Sequence, residues 1–228
     1  ITNISHDLKT PITTIKGYVE GIMDGVPKSK EKLDKYLKTI HQNVEHIESL
    51  IEDLFLLSKL DLDQSIYKFE NIDIQAYLMD SYEELKFDLQ EKGIQLDFEP
   101  RYNSKDLVKA DRQQLKRVIL NIIHNAMNYK NEINPTIKMI LTEKQDEVEI
   151  EISDNGQGIS EASLNEIFDR FYKVDRARSN RSSGTGLGLY IAKKIILDHQ
   201  GNIWARSKIG AGTSIFFTLK KLTTKDNQ

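Results

Sequence analysis

Along the first 24 residues, apolar side chains recur at Ile1, Ile4, Leu8, Ile12, Ile15, Val19 and Ile22. Steps of three and four put them on one face of a helix. Gly25, Pro27 and Ser29 then break the pattern, as a turn between helices does. From about residue 30 to 62 the rhythm is stricter: Leu33, Leu37, Ile40, Val44, Ile47, Ile51 and Leu54 alternate steps of four and three. That is a heptad seam sustained over three repeats. Two helices joined by a short turn make an αα-hairpin. One hairpin has too little surface to cover both seams, whereas two make a four-helix bundle, so a symmetric homodimer is the simplest completion.

After Asp61-Leu62-Asp63-Gln64 the pattern changes, which sets an expected boundary between domains 1–64 and 65–228. Ile74, Tyr77, Leu78, Tyr82, Leu85 and Leu89 predict a helix over about 73–92 that ends at Gly93. Ile94, Leu96 and Phe98 alternate as a strand does, and a further helix is predicted over about 111–130. Residues 135–143 and 146–153 read as paired strands. A glycine-containing stretch over 155–186 leads into a helix to about 199, and strands over 202–207 and 213–220 join at Gly210-Ala211-Gly212. The expected fold class is a helical hairpin forming a dimeric four-helix bundle, followed by a two-layer α/β sandwich.

Composition narrows the function. Hydrophobic residues make up 39% and charged residues 29%, as in a globular protein. The net charge of −3 gives no nucleic-acid footprint. The absence of cysteine rules out disulfides and thiolate metal sites. No apolar run approaches a membrane span. Because Ile1 already lies inside a helical pattern, the chain reads as a fragment whose upstream part could carry an anchor.

Two stretches carry candidate chemistry. In the first, counting Ile1 as heptad position a puts His6 at the outward f position, with Asp7 beside it and Thr10 one turn on. Pro11 sits mid-helix at a cost of about 3 kcal/mol, so a bend is expected next to the histidine. A neutral imidazole keeps one nitrogen lone pair for attack on a γ-phosphate, and a carboxylate can orient the ring through its other N–H. Alone, such a histidine reads as a solvent-facing residue without a role. His41, His46, His124 and His199 carry no functional signal.

In the second stretch, Asp154-Asn155-Gly156-Gln157-Gly158-Ile159 leaves an apolar strand, where a carboxylate can accept a bond from an exocyclic amine such as adenine N6. Gly184-Thr185-Gly186-Leu187-Gly188-Leu189 opens a helix whose free N–H groups suit phosphate. Asn121 and Asn125 lie four apart on one helical face. Their amide oxygens suit Mg²⁺, or else they cap and brace backbone. Lys173, Arg176, Arg178 and Arg181 could meet phosphates or belong to a solvated loop.

Taken in order, these pieces resemble the sensor histidine kinase family of two-component systems. Ser5 to Pro11 resembles the H box, Asn121 to Ala126 the N box and Asp154 to Ile159 the G1 box. Ile167 to Lys173 resembles the F box, Gly184 to Leu189 the G2 box, and Gly210-Ala211-Gly212-Thr213 the terminal glycine motif. The resemblance implies a phosphoacceptor hairpin and a Bergerat-type ATP-binding domain, with ATP and Mg²⁺ as cofactors. It implies His6 as phosphoacceptor, Asp7 as its acid–base neighbour, and Thr10 as the residue that orients water in regulator dephosphorylation. Asn125 would hold Mg²⁺ with Asn121 in support, Asp154 would recognise adenine with Gly156 and Gly158 shaping its pocket, and Tyr129 would pack near the base. Gly184, Thr185, Gly186, Leu187, Gly188 and Thr213 would line the nucleotide, Lys173 would approach the γ-phosphate, and residues 160–183 would form a lid.

Two positions depart from the family pattern. Asn128 stands where lysine is usual, with Lys130 a candidate substitute, and Lys173 stands where arginine is common, giving a point charge rather than a fork. The implied partners are a second copy through the hairpin and the receiver domain of a response regulator, with no nucleic acid. The implied setting is the cytoplasmic part of a membrane-anchored bacterial sensor. A chaperone-like or topoisomerase-like ATPase, with His6 idle, and a dimeric pseudokinase are the rivals.

Overall fold

The computed structural model describes residues 2–61, 67–101, 107–131, 133–173 and 185–222, without the side chains of residues 2–4, 6 and 61. The chain divides into two compact units, residues 1–64 and 65–228. In the first, α1 (Thr2–Met23) and α2 (Lys30–Asp61) form the expected hairpin. Ser29 starts α2 by accepting the amide of Lys32 at 3.2 Å, as a helix-capping hydroxyl does. Tyr18 and Tyr36 meet edge to face across the pair, with ring centroids 4.7 Å apart.

The heptad seam splits into two rows. Leu33, Ile40, Ile47 and Leu54 of α2 are half-buried, as are Leu8, Ile15, Tyr18 and Ile22 of α1. Leu37, Val44 and Ile51 of the same seam are exposed, together with Ile12 and Val19 of α1. The hairpin therefore closes on one row and leaves an apolar row open.

The second unit is an α/β sandwich. Its strands are β1 (Glu70–Asp73), β2 (Gln95–Arg101), β3 (Leu107–Ala110), β4 (Thr136–Glu143), β5 (Glu147–Asp154), β6 (Ile203–Lys208) and β7 (Gly212–Lys220). Its helices are α3 (Ile74–Glu91), α4 (Arg112–Asn128), the single turn α5 (Glu161–Leu164) and α6 (Gly188–Asp198). Five strands form one sheet in the order β2-β4-β5-β7-β6, with β2 parallel to β4 and the other neighbours antiparallel.

Alternation along the strands sends Leu96, Met139, Leu141, Val148, Ile150, Ile152, Ile215, Phe217 and Leu219 into the core. The apolar faces of α3, α4 and α6 meet them with Leu78, Leu89, Leu115, Ile119, Ile123, Ile191 and Ile195. Asp73 and Asp111 start α3 and α4 by accepting the amides of Ala76 and Gln114, each at 3.0 Å. Gly93, at φ 70°, ends α3.

The two-stranded sheet β1–β3 is a finding the periodicity did not predict. Each strand is four residues long and buries one apolar pair, Ile72 opposite Val108, which is too little to register as alternation. No helix among the described residues is long and apolar enough to cross a membrane.

Candidate functional site

The site is built where the end of β5, the face of α4 and the start of α6 come together. Period-two alternation that buries Ile150 and Ile152 puts Asp154, the last residue of β5, on the same helix-facing side. Asp154 Oδ1 accepts the amides of Gly156 at 2.7 Å and Thr213 at 3.3 Å. Among the described residues nothing bonds Oδ2. Burial pushes this carboxyl above its ordinary range, against the opposing pull of the two amides. The result is a half-buried acid with one bare acceptor oxygen.

The loop after Asp154 is pressed against the end of α4. A side chain at Gly156 would collide with the carbonyl oxygen of Tyr129, and that same oxygen accepts the amide of Gln157 at 3.0 Å. Tyr129 is the C-cap of α4, so it holds the loop through its backbone. A side chain at Gly158 would strike the carbonyl of Lys208, where the Gly210 amide donates to Gln157 O at 2.7 Å. Only bare backbone lets the loop lie between α4 and the β6–β7 turn.

Two residues that sequence reasoning passed over hold this loop. Asn155 accepts the amide of Thr136 at 2.9 Å and donates to Asn134 O at 2.9 Å, tying the loop to the entry of β4. Ser207 Oγ accepts the amide of Ile159 at 2.8 Å and lies 2.7 Å from Gly212 O and 2.9 Å from Thr213 Oγ1. A hydroxyl has one proton, and given to Gly212 O it obliges Thr213 to donate to Ser207. Thr213 then keeps only lone pairs for a ligand. Asn155 sits inside a quoted motif and could have been found by asking what fixes the turn. Ser207 has no sequence signal at all.

The other end of the site lies about 12 Å along α4, eight residues from Tyr129 at 1.5 Å each. Asn121 Nδ2 donates to Gly188 O at 3.0 Å, which ties α4 to the first residue of α6 and leaves Asn121 Oδ1 unbonded among the described residues. Asn125 is half-buried and its amide makes no bond among the described residues. The bracing alternative thus holds for the nitrogen of Asn121 and for neither oxygen. Among the described residues no three His, Cys, Asp or Glu side chains gather to hold a metal, so the ligands on offer are these amide oxygens. They are hard neutral donors that fit Mg²⁺ shared with phosphate.

Helix α6 has no side-chain cap. The first-turn amides of Gly188, Leu189 and Tyr190 have no carbonyl four residues back within the helix, which is what an anion site needs. Just before it, Leu187 is buried and its amide donates to Thr185 Oγ1 at 3.1 Å. Gly186 stands at φ 69°, a conformation that favours glycine, and a side chain there would strike Phe171 and Tyr172. The amide of Phe171 donates to Gly186 O at 2.9 Å, so the chain before and after residues 172–185 meets at one clasp.

Of the remaining candidates, Gly184, Arg176, Arg178 and Arg181 lie outside the described residues. Lys173 is half-buried and engaged with neighbours. Lys130, the candidate substitute at the departure from the family pattern, reaches 3.5 Å from the carbonyl of Lys92 at the end of α3. Within residues 160–183, α5 is ordered and Ile167 and Phe168 are buried, while residues 174–183 lie outside the described set.

In the hairpin unit, His6 lies within α1, but its side chain falls outside the described set. Asp7 is half-buried, Thr10 is exposed, and both interact with neighbours. The helix runs on through Pro11, with Thr13 and Thr14 hydroxyls donating to the carbonyls of Lys9 and Thr10 at 2.8 and 3.1 Å.

Residues 1–63 match the His Kinase A (phospho-acceptor) domain, and residues 110–223, half of the chain, match the histidine kinase-, DNA gyrase B- and HSP90-like ATPase family. The chain belongs to the sensor histidine kinase family. It is 35% identical over 224 residues to the sensor histidine kinase WalK of Bacillus subtilis (strain 168), an alignment covering 96% of this chain and 36% of WalK. It therefore spans about a third of the length of that relative.

Among solved histidine kinases, Acinetobacter baumannii AdeS shares the fold with a TM-score of 0.75 at 24% identity, covering 96% of this chain and 98% of AdeS. The histidine kinase ThkA, in complex with the response regulator TrrA, shares it with a TM-score of 0.78 at 24% identity, covering 97% of this chain and 60% of ThkA. Hairpin followed by sandwich is thus the arrangement of histidine kinase cores. The half of the chain that carries Asn121, Asp154 and Gly188 is the part that matches the ATPase family.

Proposed function

We propose that this chain is a histidine kinase core that moves the γ-phosphoryl group of ATP to His6 and then to an aspartate of a response regulator. The observation that carries the reading is the polarity of the cradle along α4. At one end stands a half-buried carboxylate with a bare oxygen, Asp154, and at the other stand the amides of Asn121 and Asn125, on the helix that Asn121 ties to the uncapped start of α6. The first end suits the exocyclic amine of adenine, with Gly156, Gly158, Tyr129 and Thr213 forming its walls. The second suits a triphosphate. Asn125, supported by Asn121, would hold Mg²⁺, which would supply positive charge against the phosphates.

The chain's own groups do the rest. Thr185, Gly186, Leu187 and Gly188 receive phosphate at the start of α6, with Gly184 before them and Lys173 as a point charge near the γ-phosphate. A nitrogen of neutral His6 forms the N–P bond as the bond from the γ-phosphorus to its bridging oxygen breaks and ADP leaves. Asp7 holds the N–H on the far side of the ring and steadies the cation that forms. Catalysis is then chiefly positioning and charge neutralisation. The phosphoryl group next passes to a carboxylate oxygen of the receiver domain, which frees the imidazole. ThkA in complex with TrrA supports a regulator as partner.

Thr10, one turn from His6 on an exposed part of α1, is suited to orient water when the regulator is dephosphorylated. Two copies would join through the open rows of Ile12, Val19, Leu37, Val44 and Ile51. In the cell the chain would be the cytoplasmic part of a membrane-anchored sensor.

The test is incubation with γ-labelled ATP. Wild type should gain an acid-labile label that His6→Gln lacks. Label retained on nitrogen in His6→Gln would refute the acceptor assignment, and free phosphate without phosphoprotein would favour a chaperone-like ATPase.

A further inference from the structure

The far ends of α4 and α6 are joined by a second polar tie, away from the nucleotide cradle. His199, the C-cap of α6, is buried; its Nδ1 is 2.7 Å from the carbonyl of Ile195, and its Nε2 accepts the amide of Asp111 at 3.0 Å. A carbonyl can only accept, so Nδ1 carries the proton and Nε2 offers its lone pair: the ring is a neutral imidazole in one fixed tautomer. Asp111 is the N-cap of α4. Because the start of α4 meets the end of α6 here, and Asn121 meets Gly188 at the other end, the two helices run antiparallel between two pins.

On the His199 pin lies the segment that leads from the hairpin unit. The rings of Tyr67 and Phe69 pack edge-on against His199 at 5.2 and 4.9 Å between centroids. Tyr67 Oη donates to Asp198 Oδ2 at 2.7 Å, and the amide of Lys68 donates to Asp111 Oδ2 at 2.6 Å. Three consecutive residues thus grip the end of α6 and the start of α4 together. A linker needs none of these bonds to connect two units.

We propose that His199 is a positioning residue for phosphate binding, and that the strap Tyr67–Phe69 sets it. With the strap seated, α6 is held in register along α4, and the Gly188 carbonyl stays on Asn121 Nδ2 at the start of α6. With the strap lifted, one of the two pins loses its cover and that register relaxes. The strap follows the hairpin after residues 62–66, so whatever tension the hairpin puts on it is delivered to the phosphate end of the site and not to Asp154, which is held by β5 and β7. This inference rests on the ATP-binding reading above.

The test separates the two ends of the cradle by titrating Mg²⁺-ATP and adenosine into wild type, Tyr67→Ala, His199→Leu, His199→Gln and Tyr67→Phe. Tyr67→Ala and His199→Leu should weaken ATP about tenfold and leave adenosine within about twofold. His199→Gln, whose amide oxygen can replace Nε2 as acceptor for Asp111, should recover most of the loss. If His199→Leu does not fold, Tyr67→Phe decides, since it removes only the oxygen that holds Asp198; ATP affinity should fall about threefold. Equal weakening of both ligands, or a lower melting temperature with unchanged ATP affinity, would overturn the positioning role. Wild type that binds neither ligand sinks the ATP reading and this inference with it. Wild type that binds ATP as well as its variants do sinks this inference alone.

Discussion

Replacing Asp154 by asparagine separates recognition from folding. Asparagine can put its Oδ1 where the carboxylate Oδ1 now accepts the amides of Gly156 and Thr213, so both bonds survive. What changes is the other position: a bare acceptor becomes an NH₂ donor. An adenine amine placed there loses a charge-assisted bond, worth about 1.5–3 kcal/mol, and gains an opposed donor, which costs about 1–3 kcal/mol more. The sum of about 2.5–6 kcal/mol predicts ATP binding weaker by roughly 10²- to 10⁴-fold.

Stability should move the other way. Burial raises the native carboxyl above its unfolded value, so ionisation disfavours the fold as pH rises through that interval, and the penalty is fully present once pH lies above the raised value. An uncharged asparagine removes it. Asp154→Asn should therefore melt at or above wild type, whereas Asp154→Ala, which leaves both amides without a partner, should melt below it. Calorimetric titration with ATP and thermal melts of all three proteins make the check. Asp154→Asn that binds ATP within threefold of wild type, or that melts well below it, would refute the reasoning.

Three further outcomes are expected. Asn125→Ala should bind ATP with the affinity that wild type shows in excess chelator, because the variant lacks the oxygen that makes Mg²⁺ useful; a Mg²⁺ dependence equal to wild type would remove Asn125 from the metal site. Val44→Glu adds a charge to the open hairpin row and should convert a dimer to a monomer by light scattering without lowering helix content by circular dichroism. Burial also pushes the His199 imidazole below its usual range, so as pH falls below about 6.5 the unfolded chain takes a proton that the native chain refuses. Stability should then drop by up to about 1.4 kcal/mol per pH unit in urea unfolding, a slope that His199→Gln removes.

Much of this molecule was readable from residue order because its large elements repeat a signal. Heptads in α2 and two-residue alternation in β5 each run over many positions, and Asp111 and Asp73 mark helix starts by a local bond. The glycine motifs were legible because only bare backbone fits against Tyr129 O or Lys208 O. Where structure depends on one long-range contact the signal vanishes. Ile72 pairs with Val108 across 36 residues, a gap no periodicity spans. Ser207 is one serine among many until the fold brings it to Ile159 and Thr213. His199 read as unremarked, since only the fold reveals that Asp111, 88 residues earlier in the chain, supplies the amide for its Nε2.

The bond from Phe171 to Gly186 O has a consequence for how such proteins can vary. Where both ends of a segment are pinned together, adding residues between them leaves the pins undisturbed and costs only closure entropy, about 0.6 kcal/mol for each doubling of length. The number of residues between Lys173 and Gly184 can therefore vary without moving either end of the clasp. Changes to the clasp itself, at Phe171 or Gly186, propagate into the start of α6.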